Sequence, residues 1–187
     1  VPTKPKTNYK TDPNESNPQD RFQTPGYAVD PLIPYLDAAG VESVWEPAAG
    51  EGYLARALER HEFEVIAGDL LTGQDYFNDR SVPAQYDCQV TNPPFGAKYK
   101  WLARAVELDR PFALLVPSDV LFAGARAQPL IKRFGLELLI PDKRINFKTP
   151  DRGWDGSSAQ MHTSWLCYRL RLGAIVRFCT IDPKGGA

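Results

Sequence analysis

The apolar runs of this chain are short, and they alternate with stretches of helical period. Ser43-Val44-Trp45 reads as a strand, Glu46-Pro47-Ala48-Ala49-Gly50-Glu51-Gly52 as a small-residue turn, and Tyr53, Leu54, Ala57 and Leu58 as one helix face. Glu64 to Gly68 is a second strand, ending at Asp69. Tyr86 to Thr91 is a third, and it runs into Asn92-Pro93-Pro94-Phe95, which no sheet can continue. Helical spacing returns from Tyr99 to Leu108, with Trp101, Leu102, Ala105 and Leu108 inward. Pro111 to Val116 is apolar throughout, as a strand covered on both faces is. Strand–turn–helix units in series require parallel strands joined by helical crossovers. The expected class is therefore α/β, a mostly parallel sheet with helices on both faces. Such sheets bind ligands at the carboxyl ends of their strands, where the informative turns of this sequence fall.

The remaining segments fill in around that frame. Residues 1–20 are polar, proline-bearing and aperiodic, and read as a disordered or extended tail before one domain spanning 21–187. Asp30-Pro31 reads as a helix start, with Asp30 as N-cap, and Gly40 as the stop. Leu70 to Ala84 is too broken for a helix and reads as loop with at most one turn. One or two short helices fill 119–134. Strand signals return at Leu136–Ile140, Thr163–Leu170 and Ile175–Ile181, around a Gly/Ser/Asp-rich loop from Lys148 to Gln160.

Composition excludes several classes. No stretch approaches the roughly 20 apolar residues of a membrane-spanning helix, and Val1 to Lys10 lacks the apolar run of a signal peptide. Cys88, Cys167 and Cys179 are odd in number and lack ligand spacing. With two histidines, this argues against a disulfide scaffold and a metal site, and for a cytoplasmic protein. Residues 1–93 hold 7 Lys/Arg against 15 Asp/Glu, whereas residues 94–187 hold 15 against 8. A half-basic chain can offer one positive face to a polyanion, or scatter its charge over a solvated surface.

Gly50-x-Gly52, between a strand and a helix, lets backbone approach a ligand and leaves helix N–H groups free. Glu46 just before it argues against a pyrophosphate, since a carboxylate repels phosphate but suits an ammonium or sulfonium. Asp69 closes the second strand, where a carboxylate accepts two ribose hydroxyls. Asp75 stands where it can accept from an adenine amino group. Taken in order, these residues fit a nucleoside carrying positive charge.

Asn92-Pro93-Pro94-Phe95 forms a corner rich in acceptors and poor in donors, because prolines keep their carbonyls but have no N–H. A ring-conjugated NH₂ fits there. Two acceptors on its hydrogens favour a pyramidal nitrogen and free its lone pair. Phe95 can stack on the flat ring. An ordinary rigid β-to-α turn explains the same four residues about as well.

Three stretches together resemble the class I S-adenosylmethionine-dependent methyltransferases, specifically the amino-methylating type that includes DNA N6-adenine methyltransferases. Phe22-Gln23-Thr24-Pro25 is similar to that family's N-terminal Thr-Pro motif, Glu46 to Gly52 to its [D/E]-P-x-x-G-x-G loop, and Asn92 to Phe95 to its [D/N]-P-P-[F/Y] motif. The match spans about 21–120, and small phage-borne or prophage-borne adenine methylases look similar in size and motif order. The resemblance implies a Rossmann-like methyltransferase fold with an antiparallel C-terminal strand, and S-adenosyl-L-methionine as cofactor. It implies cofactor contacts at Thr24, Pro25, Glu46, Pro47, Ala48, Gly50, Gly52, Asp69, Leu70, Asp75, Tyr76 and Asn92. It gives Asn92, Pro93, Pro94 and Phe95 the catalytic corner, with no metal and no histidine base.

Two departures stand out. The stretch from Asp69 to Tyr86 is short, so the family's usual helix and third strand are reduced there. No room is left for a separate target-recognition domain, which needs upwards of about 50 residues. Lys98, Lys100, Arg126, Lys143, Arg144, Lys148 and Arg152 flank the catalytic turn or lie in late loops, and are the candidate phosphate contacts. Trp154 is a candidate cover for the base pocket, whereas Phe147 and Trp165 read as core. The expected partner is DNA, then RNA, for a monomer or weak dimer. The same corner serves adenine methylation in RNA and glutamine N5-methylation in proteins. An inactive nucleic-acid-binding module is the alternative from another class.

Overall fold

A computed structural model describes residues 22–122, 124–148 and 161–183, excepting the side chains of 121, 122 and 124. The expected tail, Arg152 and Trp154 lie outside the described residues. The strands are β1 (Ser43–Glu46), β2 (Glu64–Ala67), β3 (Cys88–Thr91), β4 (Phe112–Pro117), β5 (Glu137–Pro141), β6 (Thr163–Tyr168) and β7 (Val176–Cys179). They form one sheet in the order β2-β1-β3-β4-β6-β5-β7. Six of the seven run the same way; β6 opposes both of its neighbours, β4 and β5, and is the antiparallel strand expected near the C-terminus. This is the Rossmann-like methyltransferase fold. The chain winds outward from β1 in both directions, to β2 on one side and β3 on the other, so the switch point lies between β1 and β3.

Alternation along each strand builds two cores. Val44, Val90, Ala113, Leu115, Trp165 and Cys167 face one side. There they meet Leu32 and Leu36 from the N-terminal turns and α1 (Ile33–Ala38), and Leu54, Ala57 and Leu58 from α2 (Tyr53–Arg60). Phe112, Leu114, Val116, Leu138 and Leu166 face the other, against α3 (Lys98–Glu107) and α4 (Gly124–Phe134). The Trp165 indole N–H donates to the Ala28 carbonyl at 2.9 Å, fastening the first turns across the sheet. Trp165 is core, as its sequence context indicates.

Three local readings need correction. Residues 30–32 form a 3₁₀ turn that runs into α1, because Pro31 and Pro34 remove donors from the first turns. Asp30 is no N-cap: its carboxylate lies 3.2 Å from His61 Nε2 at the end of α2. Between β2 and β3 there are two single turns, Leu70–Thr72 and Asp79–Ser81, each begun by a side chain accepting a backbone N–H, Asp69 from Leu71 and Asn78 from Arg80.

This short stretch is tied down by rings. Tyr76 stacks on Trp101 with centroids 3.9 Å apart and planes 5° from parallel, and its hydroxyl donates to Gln89 Oε1 at 3.1 Å. Trp45 and Tyr86 complete this cluster against β1 and β3. Among the described residues no helix is long and apolar enough to cross a membrane, and no three His, Cys, Asp or Glu gather as metal ligands. The three cysteines are free.

Candidate active site

The carboxyl ends of β1, β2 and β3 meet at the switch point. β1 delivers Glu46 and the glycine turn. Gly50 and Gly52 have φ of +54° and +78°, a conformation open to glycine and strained for other residues. Gly52 is the N-cap of α2, so the free N–H groups of that helix open onto the turn. The turn is held from two sides. The Gly50 N–H donates to Asp69 Oδ2 at 2.9 Å, and the Glu51 N–H donates to Gln23 Oε1 at 2.8 Å. Asp69, just past the end of β2, also accepts from the Leu71 N–H at 2.8 Å, and each of its oxygens keeps a lone pair for a further donor.

Glu46 is the electrostatic centre. It is 2% exposed and accepts from the Ala55 N–H in the first turn of α2, but its second oxygen is buried without a partner among the described residues. Burial, and then the nearby Asp69 carboxylate, push its pKa up to about 8. A buried carboxylate with an unmet oxygen is expensive unless a cation or donor arrives. Its chemistry, with the ribose-type acceptor Asp69 beside it, fits a nucleoside bearing an ammonium or sulfonium.

The other predicted cofactor residues surround these. Thr24 and Pro25 are buried in the N-terminal segment, and Pro47 and Ala48 follow Glu46 into the turn. Leu70 is 40% exposed. Asp75 does not stand free: its Oδ1 accepts from the Phe77 N–H at 2.9 Å. Tyr76 belongs to the ring stack and lines a shallow crevice with Trp45, Pro47, Gly68, Gln74 and Ser81 that encloses no room for a water-sized body. Gln74 leans across Gly68, where its Oε1 stands in the place of a Cβ, and narrows the space.

Asn92-Pro93-Pro94-Phe95 leaves β3 beside this turn, one strand from β1. Asn92 Oδ1 is buried and has no hydrogen-bond partner among the described residues. Phe95 is 8% exposed; Phe22 stacks on it at 5.5 Å, and Phe147 meets it edge-on at 5.7 Å.

The basic candidates divide. Lys98 heads α3, 3.8 Å from Asp119, and Arg126 lies 5.5 Å over the Tyr99 ring; Lys98 stands just beyond the Asn92–Phe95 turn and Arg126 beyond β4. Lys100 is exposed on α3. Lys143 and Arg144 follow β5 at the same sheet edge, with Lys143 Nζ donating to the Ile181 carbonyl at 3.3 Å. Lys148 is engaged locally, paired with Glu51 and donating to the Tyr53 hydroxyl at 3.3 Å.

Sequence reading missed Gln23 as the clamp on the glycine turn and Phe22 as the ring on Phe95. Both lie inside the quoted Phe22–Pro25 stretch, but a contact spanning 28 residues leaves no periodic trace. The clamp makes Gly50→Ala informative. A Cβ there falls 2.7 Å from Gln23 Oε1, in a backbone region that costs an L-residue about 1–2 kcal/mol. Cofactor affinity should fall about tenfold by calorimetry, with a lower melting temperature; an unchanged affinity removes the turn from the binding site.

No family model and no curated protein matches the sequence. Among solved structures, the chain is similar to a protein described as a modification subunit of a type I restriction enzyme from Vibrio vulnificus, at 16% identity and a TM-score of 0.50. The similarity covers 88% of this chain and 48% of that one, so this chain spans about half the length of that relative. A protein described as an RNA methyltransferase from Pyrococcus horikoshii aligns at 19% identity and a TM-score of 0.43, over 78% of this chain and 85% of its own.

Proposed function

We propose that this protein is an S-adenosylmethionine-dependent methyltransferase acting on the exocyclic N6 amine of adenine in DNA. The observation that carries the reading is the buried Asn92 Oδ1, one strand away from the buried Glu46 oxygen, both unpartnered among the described residues. One unmet acceptor suits the hydrogens of an aromatic amine, and the other suits a cation.

In this reading Glu46 and the N–H groups at the start of α2 hold the amino-acid end of the cofactor, with Thr24 and Pro25 alongside. Asp69 accepts the ribose hydroxyls, and Asp75 with Leu70 borders the adenine. When bound, the cofactor supplies an electrophilic methyl group carried on a sulfonium. Asn92 Oδ1 and the Pro93 carbonyl grip the target NH₂, orient its lone pair and stabilise the positive charge that grows on nitrogen. Holding the amine in attack geometry supplies much of the acceleration. A duplex target must be flipped out, costing a few kcal/mol. Lys98, Lys100, Arg126, Lys143 and Arg144 stand at the strand-end edge where the phosphates would pass.

The test is incubation with methyl-labelled cofactor and DNA, RNA or cell protein, then digestion to nucleosides or amino acids. N6-methyladenine from DNA is expected. Label in RNA adenine or protein glutamine moves the assignment to that substrate, and no transfer to any of them sinks it. DNA affinity should also fall steeply between about 50 and 200 mM salt. A flat response removes the basic edge from the argument.

A further inference from the structure

The two features assigned to the target are both shut in this structure. The Phe95 ring is 8% exposed, and Asn92 Oδ1 is closed to solvent. A flat ring already lies on Phe95: the Phe22 side chain, with centroids 5.5 Å apart and planes at 26°. That is the offset-parallel arrangement a nucleobase adopts on an aromatic side chain. Phe147 meets Phe95 at 82° and is 3% exposed, so it forms a wall of the same site rather than a cover.

We propose that Phe22 occupies the target-ring subsite of the unliganded protein, and that a flat heteroaromatic target binds by displacing it from Phe95. The proposal rests on the aromatic-amine reading above. Phe22 is suited to leave. It is half-buried, whereas Phe95 and Phe147 are buried. Its neighbour Gln23 is anchored independently, through two backbone hydrogen bonds with Lys148 of 2.9 and 3.1 Å and through the side-chain clamp on Glu51. The Phe22 ring can therefore turn away about its own torsions while the cofactor turn stays held. The placeholder keeps an apolar stacking surface dry until a target arrives. It also selects for targets that stack well enough to replace a phenyl ring, which an aliphatic amide side chain does not.

The experiment compares wild type with Phe22→Ala and Phe22→Leu, using an oligonucleotide carrying 2-aminopurine at the target adenine and an unmodified one for turnover. S-Adenosylhomocysteine affinity serves as the folding control. Removing the ring should lower the KM for the oligonucleotide about threefold to tenfold, the range set by one aromatic pair. It should leave kcat and cofactor affinity within about twofold, with the leucine variant between. Quenching of 2-aminopurine should begin at correspondingly lower protein concentration. A raised KM, a lowered kcat or no change, with cofactor affinity intact, overturns the placeholder and makes Phe22 a wall or an anchor. If the alanine variant does not fold, the leucine variant decides by the same criteria. A wild-type chain that binds S-adenosylhomocysteine but methylates no aromatic amine fails at the functional reading, and the placeholder falls with it.

Discussion

Asn92→Ala should lower the proposed methyl transfer at least about a hundredfold to a thousandfold, the loss seen when one preorganised polar group leaves a charge-developing centre. Cofactor affinity should stay within about twofold. The split follows from position. Asn92 Oδ1 has no partner among the described residues, so its loss breaks no internal hydrogen bond there, and the glycine turn is held by Gln23 and Asp69 instead. Single-turnover rates and calorimetry on the same preparation check both halves. Comparable turnover in the variant strips Asn92 of its role. Loss of cofactor binding in parallel reassigns it to the cofactor site, beside which it stands.

The second large effect belongs to Glu46. Burial and the neighbouring Asp69 raise its pKa from 4.5 to about 8, so the free protein keeps a proton there at neutral pH. A raised carboxyl pKa makes the folded state bind more protons than the unfolded one. The associated stability is therefore fully present below about 4.5 and is lost as pH rises through about 8, on the order of a few kcal/mol across the window. A cationic ligand favours the ionised form. Cofactor binding near pH 7 should thus release up to about one proton, and affinity should climb until about pH 8 and then level. Glu46→Gln should flatten both profiles, stabilise the free protein above neutrality and weaken cofactor binding at least about tenfold at high pH. Calorimetry in buffers of different ionisation heat, with denaturant titrations from pH 5 to 9, reads each quantity. Binding without proton release removes Glu46 from contact with the cation.

The strand–turn–helix alternation was legible because β1, β3 and β4 carry compact apolar runs that end at Glu46, Thr91 and Pro117. Those same ends align the motifs along one sheet edge. The stretch from Asp69 to Tyr86 was legible only as something missing. The stretch is held by a stack of Tyr76 on Trp101, and contacts between rings 25 positions apart have no period to read. Asp30 misled for a related reason. Capping preference is local, but His61 lies 31 residues away and draws the carboxylate to α2. The glycine turn was recognisable from its spacing, yet its clamp was not, since any polar side chain at position 23 looks equally plausible in sequence.

The ring stack against β1 and β3 carries a consequence for how this molecule can vary. A paired strand fixes register at every second residue, so lengthening it by one residue turns all its side chains over. Here the span between Asp69 and Tyr76 is moored at its two ends, by a carboxylate on backbone amides and by one tyrosine on one tryptophan. Insertions or deletions between those moorings leave the rest of the architecture in register, making this the segment where descendants of the chain are freest to change length and shape.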